Sequence, residues 1–281
     1  MPGEGVPARK KKEESMKRLG LIVVLLSVAA ALPARADEWS KTYNIAGKPD
    51  LRVETSDANI RVDTWDQNTI EARVTTTRDK IGEDGIRVTE RQNGDTVEIE
   101  VRYPRERHYG FHIDMGNHRV DINIHMPREG RVNLHTGDGK IEMASFKGEM
   151  DLSSGDGSQI LDSVDGKLRA NTGDGHIRAN GRFDELDLKT GDGHVDVRAT
   201  AGSALAAEWR LETGDGSVTL EVPETLAADV DLRTSDGHID LDMPVTAEGR
   251  VKENEVRGKL NGGGNRMTIR TGDGSIHLRK G

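Results

Sequence analysis

Four aspartates stand 18 residues apart: Asp138, Asp156, Asp174 and Asp192. Two histidines, His176 and His194, keep the same spacing, each two residues past one of them. Carboxylates stacked in a column about 5 Å apart would repel by roughly 1 kcal/mol per neighbour in bulk water. A hard cation such as Ca²⁺, which takes carboxylate and carbonyl oxygens, would relieve that repulsion. The two imidazoles, if aligned, could bind a metal through their ring nitrogens. These six residues are the candidate metal ligands.

A plainer reading competes with each. The calcium-binding nonapeptide repeat has a different period, and an aspartate in a turn can accept hydrogen bonds from nearby backbone amides while facing solvent. His238 falls in the same place as His176 and His194, but Lys140, Ser217 and Ser275 fill it elsewhere, as a polar solvent-facing slot would allow. His108, His112, His118 and His125 crowd one stretch without metal-ligand spacing. The plainer reading is favoured, so no cofactor is expected, with Ca²⁺ the one cation the column could take.

Enzymatic chemistry has little to stand on. Catalytic acids should interrupt a repeat, whereas here the acids are the repeat. There is no nucleophile elbow, zinc motif or phosphate-loop lysine.

The elements that position these residues come from the repeat itself. Turns of one type occur at Thr55–Ala58, Thr136–Gly139, Ser154–Gly157, Thr172–Gly175, Thr190–Gly193, Thr213–Gly216, Thr234–Gly237 and Thr271–Gly274. After the three regular spacings, Asp215 follows by 23 residues, Asp236 by 21 and Asp273 by 37. Apolar residues alternate on both sides of each turn, as in Leu186/Leu188/Thr190 and Val195/Val197, so every flanking segment reads as a strand with one inward face. Phe146, Val164 and Phe183, eight or nine residues past the turn aspartate, mark a third inward side. Glycines are read here as supplying the positive φ of a sharp corner. The turns could close antiparallel hairpins, but the long segments between them favour stacked parallel coils.

The expected fold is therefore all-β: a single-stranded, β-helix-like solenoid with a period near 18 residues, roughly 40 Å long. It spans residues 131–281 with an insertion at 246–265, and an irregular β region over 37–130 precedes it. Strands are expected in that region at Thr69–Thr77, Ile86–Glu90 and Thr96–Val101, with an excursion at Arg107–His118. The extra residue at Ser158-Gln159 predicts a β-bulge. The last coil, ending at Arg279-Lys280-Gly281, leaves an open edge and predicts end-to-end self-association.

Residues 1–36 read as an upstream extension and a signal peptide. Lys17-Arg18 precede an apolar run to Leu32, and Ala34-Arg35-Ala36 supplies a cleavage site. Met16 is the expected start. The remaining chain carries 33 basic and 46 acidic residues, a net charge of −13. That balance argues against nucleic acid or anionic lipid as partner. The chain has no cysteine, so it is expected to be free of disulfides and lipid anchor, without a membrane span after cleavage.

The chain resembles the bacterial putative-adhesin family of β-strand-repeat proteins, a domain-of-unknown-function family. The likeness rests on the export signal, the Gly-Asp-Gly-x-Ile units, the Met126-Pro127 step, and the closing Val256–Gly264 and Ile269–Ile276 segments. The resemblance implies a β-solenoid exposed at the cell envelope, with adhesion or envelope-stress roles and no catalytic residues. The expected function is an exported, periplasmic or surface, non-enzymatic binding or scaffold module for glycans or envelope proteins. The alternatives are a polysaccharide-active β-helix enzyme and a calcium-stabilised structural module.

Overall fold

The computed structural model describes residues 37–82, 85–103, 119–247 and 252–281. The signal segment, His108, His112, His118 and the Arg107–His118 excursion lie outside the described residues. Those described fold as all-β structure.

The N-terminal strands are β1 (Glu38–Asn44), β2 (Asp50–Thr55), β3 (Asn59–Trp65), β4 (Thr69–Thr76), β5 (Arg87–Asn93), β6 (Thr96–Arg102) and β7 (Val120–Pro127). The regular repeats supply β8 (Glu129–Thr136), β9 (Ile141–Ala144), β10 (Lys147–Ser154), β11 (Gln159–Asn171), β12 (Ile177–Thr190), β13 (Val195–Ala199), β14 (Trp209–Thr213) and β15 (Val218–Val222). Then come β16 (Ala228–Thr234), β17 (Ile239–Leu241), β18 (Val245–Ala247), β19 (Glu255–Leu260), β20 (Arg266–Thr271) and β21 (Ile276–Lys280).

The two arms that meet at a Thr-Gly-Asp-Gly turn do not pair across it. Each pairs in parallel with its counterpart one winding away, as in Val132↔Met150↔Leu168↔Leu186. Two ladders result. One runs β6–β2–β8–β10–β11–β12–β14–β20–β16, using the second halves of β11 and β12. The other runs β7–β3–β9–β11–β12–β13–β15–β21–β17, using their first halves. The alternation turns one face of every strand inward, so Leu51, Leu168, Leu186, Trp209 and Met267 stack from winding to winding and are buried. Phe146, Val164 and Phe183 close the core on its third side, at most 1% exposed.

Several expectations change. The last winding is not at the end: β20 and β21 enter between β14/β15 and β16/β17. The 246–265 insertion supplies β19, which pairs antiparallel with β16 and in turn carries β18. At the other end β5 and β1 lie antiparallel on β6 and β4. Short antiparallel strands thus cover the β6, β7 and β16 edges of the ladders, and the last coil of the chain lies inside the ladders, not at their edge.

The β-bulge is also misplaced. Gln159 pairs with Ile141 and Ile177 in unbroken register. Its side chain points inward, fully buried, and its amide nitrogen donates to Ser154 Oγ (3.0 Å) and the Asn171 carbonyl (2.6 Å). The register shifts fall later, between Leu161 and Val164 and after Gly166. Ser163 there has φ 55° and Gly166 φ 124°, which turn the chain at the corner opposite the Gly-Asp turns.

Gln159 leaves its Oε1 without a hydrogen-bond partner. Gln159→Ile restores the residue type used on either side. It is expected to raise stability by about 1 kcal/mol, since an unsatisfied buried acceptor is removed. Urea denaturation checks this; a lower midpoint would show that the bond to Asn171 outweighs the orphan oxygen.

Candidate binding surface

All eight Gly-Asp turns form one stack, bonded backbone to backbone. Gly137, Gly155 and Gly173 donate their N–H groups to Ser56, Gly137 and Gly155. Gly191 donates to Gly173 at 2.5 Å, Gly214 to Gly191 and Gly272 to Gly214 at 2.6 Å, and Ser235 to Gly272 at 2.9 Å. At every turn after the first, a threonine or serine hydroxyl, not the aspartate, closes the corner. Thr190 Oγ1 lies 3.0 and 2.9 Å from the carbonyls of Gly173 and Gly175 and accepts the Gly193 N–H at 3.2 Å. Thr213, Thr234 and Thr271 repeat this. Their hydroxyls are buried and satisfied, as buried polar groups must be.

The structure places Asp138, Asp156, Asp174 and Asp192 one per winding along this stack, all exposed. Each leans over the first glycine of the next turn: Asp156 Oδ1 lies 3.0 Å from where a Cβ on Gly173 would sit. His176 and His194 do come together, their rings stacked at 5.0 Å and 11°. Their Nδ1 atoms, however, accept backbone N–H groups, from His194 at 2.8 Å and from Ser217 at 2.9 Å. Asn59, Ser158 and Ser217 do the same from that slot for Lys140, His176 and Ser275. The slot therefore supplies an acceptor to the amide of the following winding, and either a hydroxyl, an amide or an imidazole serves. Among the described residues no group of three or more His, Asp or Glu side chains is placed to hold a metal ion.

The outward face of the first ladder carries a feature not read from the turns: its charges alternate in sign from one winding to the next. One row runs Glu98, Arg52, Asn133, Asp151, Arg169, Asp187 and Arg210. A second runs Asp50, Arg131, Glu149, Lys167 and Glu185. Arg131 Nε bonds Glu149 at 2.8 Å, Arg169 Nε approaches Asp187 at 3.3 Å, and Lys167 Nζ lies 3.7 Å from Glu185. Hydrogen bonds to Asp184 and Asp165 raise the pKa of Arg182, which bridges two windings. Such exposed pairs each contribute about 0–1 kcal/mol. Their larger effect is to cancel charge on this face, leaving a ribbed sheet of paired donors and acceptors. Two adjoining grooves of about 570 and 620 Å³ lie on it, sharing Arg52 and Asn133. Comparing residues 18 apart would have exposed the alternation; attention to the turns alone misses it.

No curated protein is similar to the chain in sequence. Solved structures similar in fold include a "putative cell adhesion protein" from Clostridium sporogenes, at 14% identity and TM-score 0.44, covering 88% of this chain and 100% of that one. A "putative adhesin" from Bacteroides fragilis is similar at 11% identity and TM-score 0.49, covering 88% and 98%. A "putative lipid binding protein" from Parabacteroides distasonis is similar at 13% and 0.42, covering 86% and 96%. Residues 115–279 match the Toastrack DUF4097 family. That match takes in the stacked turns from Thr136 onward and more than half of the chain, which belongs to the Toastrack DUF4097 family.

Proposed function

We propose that this protein is an exported, non-enzymatic binding or scaffold module of the cell envelope, in the periplasm or at the surface, whose partner is a glycan or an envelope protein. The observation that carries this reading is the outward face of the first ladder, where charges repeat winding after winding and are paired along the rows. A face of this kind suits an extended partner whose contacts recur, whereas catalysis needs one singular place. The stacked windings act as a single-stranded β-solenoid frame: the glycine ladder and buried threonines fix the spacing, so the face is preorganised and binding orders little. Export is supported by the basic pair Lys17-Arg18, the apolar run and the Ala34-Arg35-Ala36 site. No helix of the described residues is long and apolar enough to cross a membrane.

The test is retention. Protein purified from exporting cells is incubated with peptidoglycan, outer-membrane glycans and envelope extract, and bound material is eluted and identified. Retention on at least one is expected. Retention on none, or release of new reducing ends from a glycan, would overturn the reading.

A further inference from the structure

Aromatic side chains make up 3% of this sequence, and Trp209, Tyr43, Phe146 and Phe183 are spent in the core. Trp65 is not. It ends β3, opposite Pro127 of β7, at the edge away from the Gly-Asp turns, and remains partly exposed. The ring is held on two sides. Its Nε1–H donates to the Thr69 carbonyl at 2.8 Å, and it stacks on His125 at 5.3 Å and 25°. Trp65 therefore stands in a fixed orientation without being needed to fill the interior.

Beside it opens a shallow cleft of about 430 Å³ lined by Trp65, Pro49, Asp66, Gln67, Asn68 and Arg128 among others. Three rings, the indole and the prolyls of Pro49 and Pro127, give it apolar surface. Gln67, Asn68, Asp66 and Arg128 supply planar polar groups: two primary amides, a carboxylate and a guanidinium. Each amide offers both donors and acceptors. Asp66 and Arg128 are joined at 2.6 Å, and the guanidinium holds that carboxyl below the usual carboxylate range. Glu129 at the rim is paired with Lys147 at 2.9 Å, so Lys48 is the one unpaired charge among the described residues lining the cleft. A nearly neutral cleft with an aromatic plate anchored by a hydrogen bond and a ring contact, and with side-by-side donors and acceptors, is built for a ligand with one apolar face and hydroxyls around its rim. A pyranose ring has that form. Phosphate or an acidic peptide would call for several converging unpaired cations, where Lys48 stands alone.

We infer that the Trp65 cleft is a binding subsite for a neutral sugar residue of a glycan, with the indole stacking on the ring and Gln67, Asn68 and the Asp66–Arg128 pair taking its hydroxyls. This deepens the binding-module reading and rests on it.

Affinity electrophoresis tests the assignment. The protein is run through native gels cast with dextran, hydroxyethylcellulose or glycol chitin, at low and at high salt. Retardation by at least one neutral polysaccharide is expected, with little salt dependence because no net charge is exchanged. Trp65→Ala should weaken it roughly tenfold, the order of effect lost with a stacking aromatic. Should that variant fail to fold, as its melting curve would show, Gln67→Ala with Asn68→Ala alters only the loop and should still weaken retardation several-fold. Absence of retardation in every gel, or loop variants that migrate like the parent, would overturn the subsite. In that event continued retention of envelope material in the pull-down leaves the broader reading standing. Failure of both experiments sinks both.

Discussion

Gly193→Ala is expected to destabilise the protein by more than about 3 kcal/mol, at the upper end of overpacking costs. A Cβ on Gly193 would sit 1.9 Å from the carbonyl oxygen of Gly175, in the turn of the neighbouring winding. The obstacle is backbone, which cannot rotate away. The methyl would have to push two windings apart and break the bonds that join them: Gly191 N–H to Gly173 (2.5 Å) and the Thr190 hydroxyl to Gly175 (2.9 Å). At roughly 2–4 °C per kcal/mol for a chain of this size, the melting temperature should fall by about 6–12 °C or more. Ala58 provides the control. It occupies the same place in the first turn of the stack and already carries a Cβ, and Ala58→Gly should cost only about 0.5–1 kcal/mol of chain entropy. Thermal melts of the two variants check the argument. Equal small losses would mean that the turns do not pack as tightly as the carbonyl contacts require.

Trp209→Ala should cost about 3–5 kcal/mol, the range for removing a large buried aromatic. Trp209 is fully buried, pairs with Leu186 on one side and Met267 on the other, and donates its indole N–H to the Asp184 carbonyl at 3.3 Å. Leu, Val or Met fills this column elsewhere. Trp209→Leu should therefore recover part of the loss, leaving the unfilled volume as the remainder, since the Asp184 carbonyl keeps the Ala206 N–H at 3.0 Å. Denaturant titration of both variants measures the difference. An alanine variant as stable as the leucine one would show that the indole does not fill a close-packed column.

Much of this was legible in advance. Alternation around each turn gave the inward faces, and the spacing of 18 gave parallel windings in place of hairpins, because a strand's period of two fixes which side chains share a face. Expected strands at Thr69–Thr77 and Thr96–Val101 appear as β4 and β6 nearly residue for residue. The reason assigned to the turn glycines was wrong. None of them has φ in the left-handed region; they are glycine because the next winding passes too close for a Cβ. That constraint is a distance between segments 18 or more residues apart, and local turn rules do not contain it. The opposite corner was invisible for a similar reason. Ser145 and Ser163 take φ near 55°, a conformation their type does not announce.

At the site, the sequence supplied the column of Asp138, Asp156, Asp174 and Asp192 and the adjacency of His176 and His194, since both follow from repeat phase alone. It did not supply what their atoms do. Whether an imidazole nitrogen is open to a metal depends on the neighbouring winding's backbone, and there Nδ1 is occupied. The Trp65 cleft draws Pro49, Trp65 and Arg128 from three separate segments, so only packing could assemble it.

What the amino-acid order determined alone is the winding: its period, its inward faces and its all-β character, all consequences of side-chain alternation and turn chemistry within one repeat. What tertiary structure decided is the sequence of windings in the stack. The Thr271 turn lies between those of Thr213 and Thr234, although the chain reaches it last. Parallel ladders accept any winding of matching register, so local pattern leaves that order open. One trace of it is present, for serine replaces the first turn glycine only at Ser56 and Ser235, the two outermost of the described turns. Nothing lies beneath Ser56 among the described turns, and Ser235 stands 2.9 Å from its carbonyl partner where the glycines before it approach to 2.6 Å or less. Among the described turns, room for a Cβ at this place exists only in the two outermost.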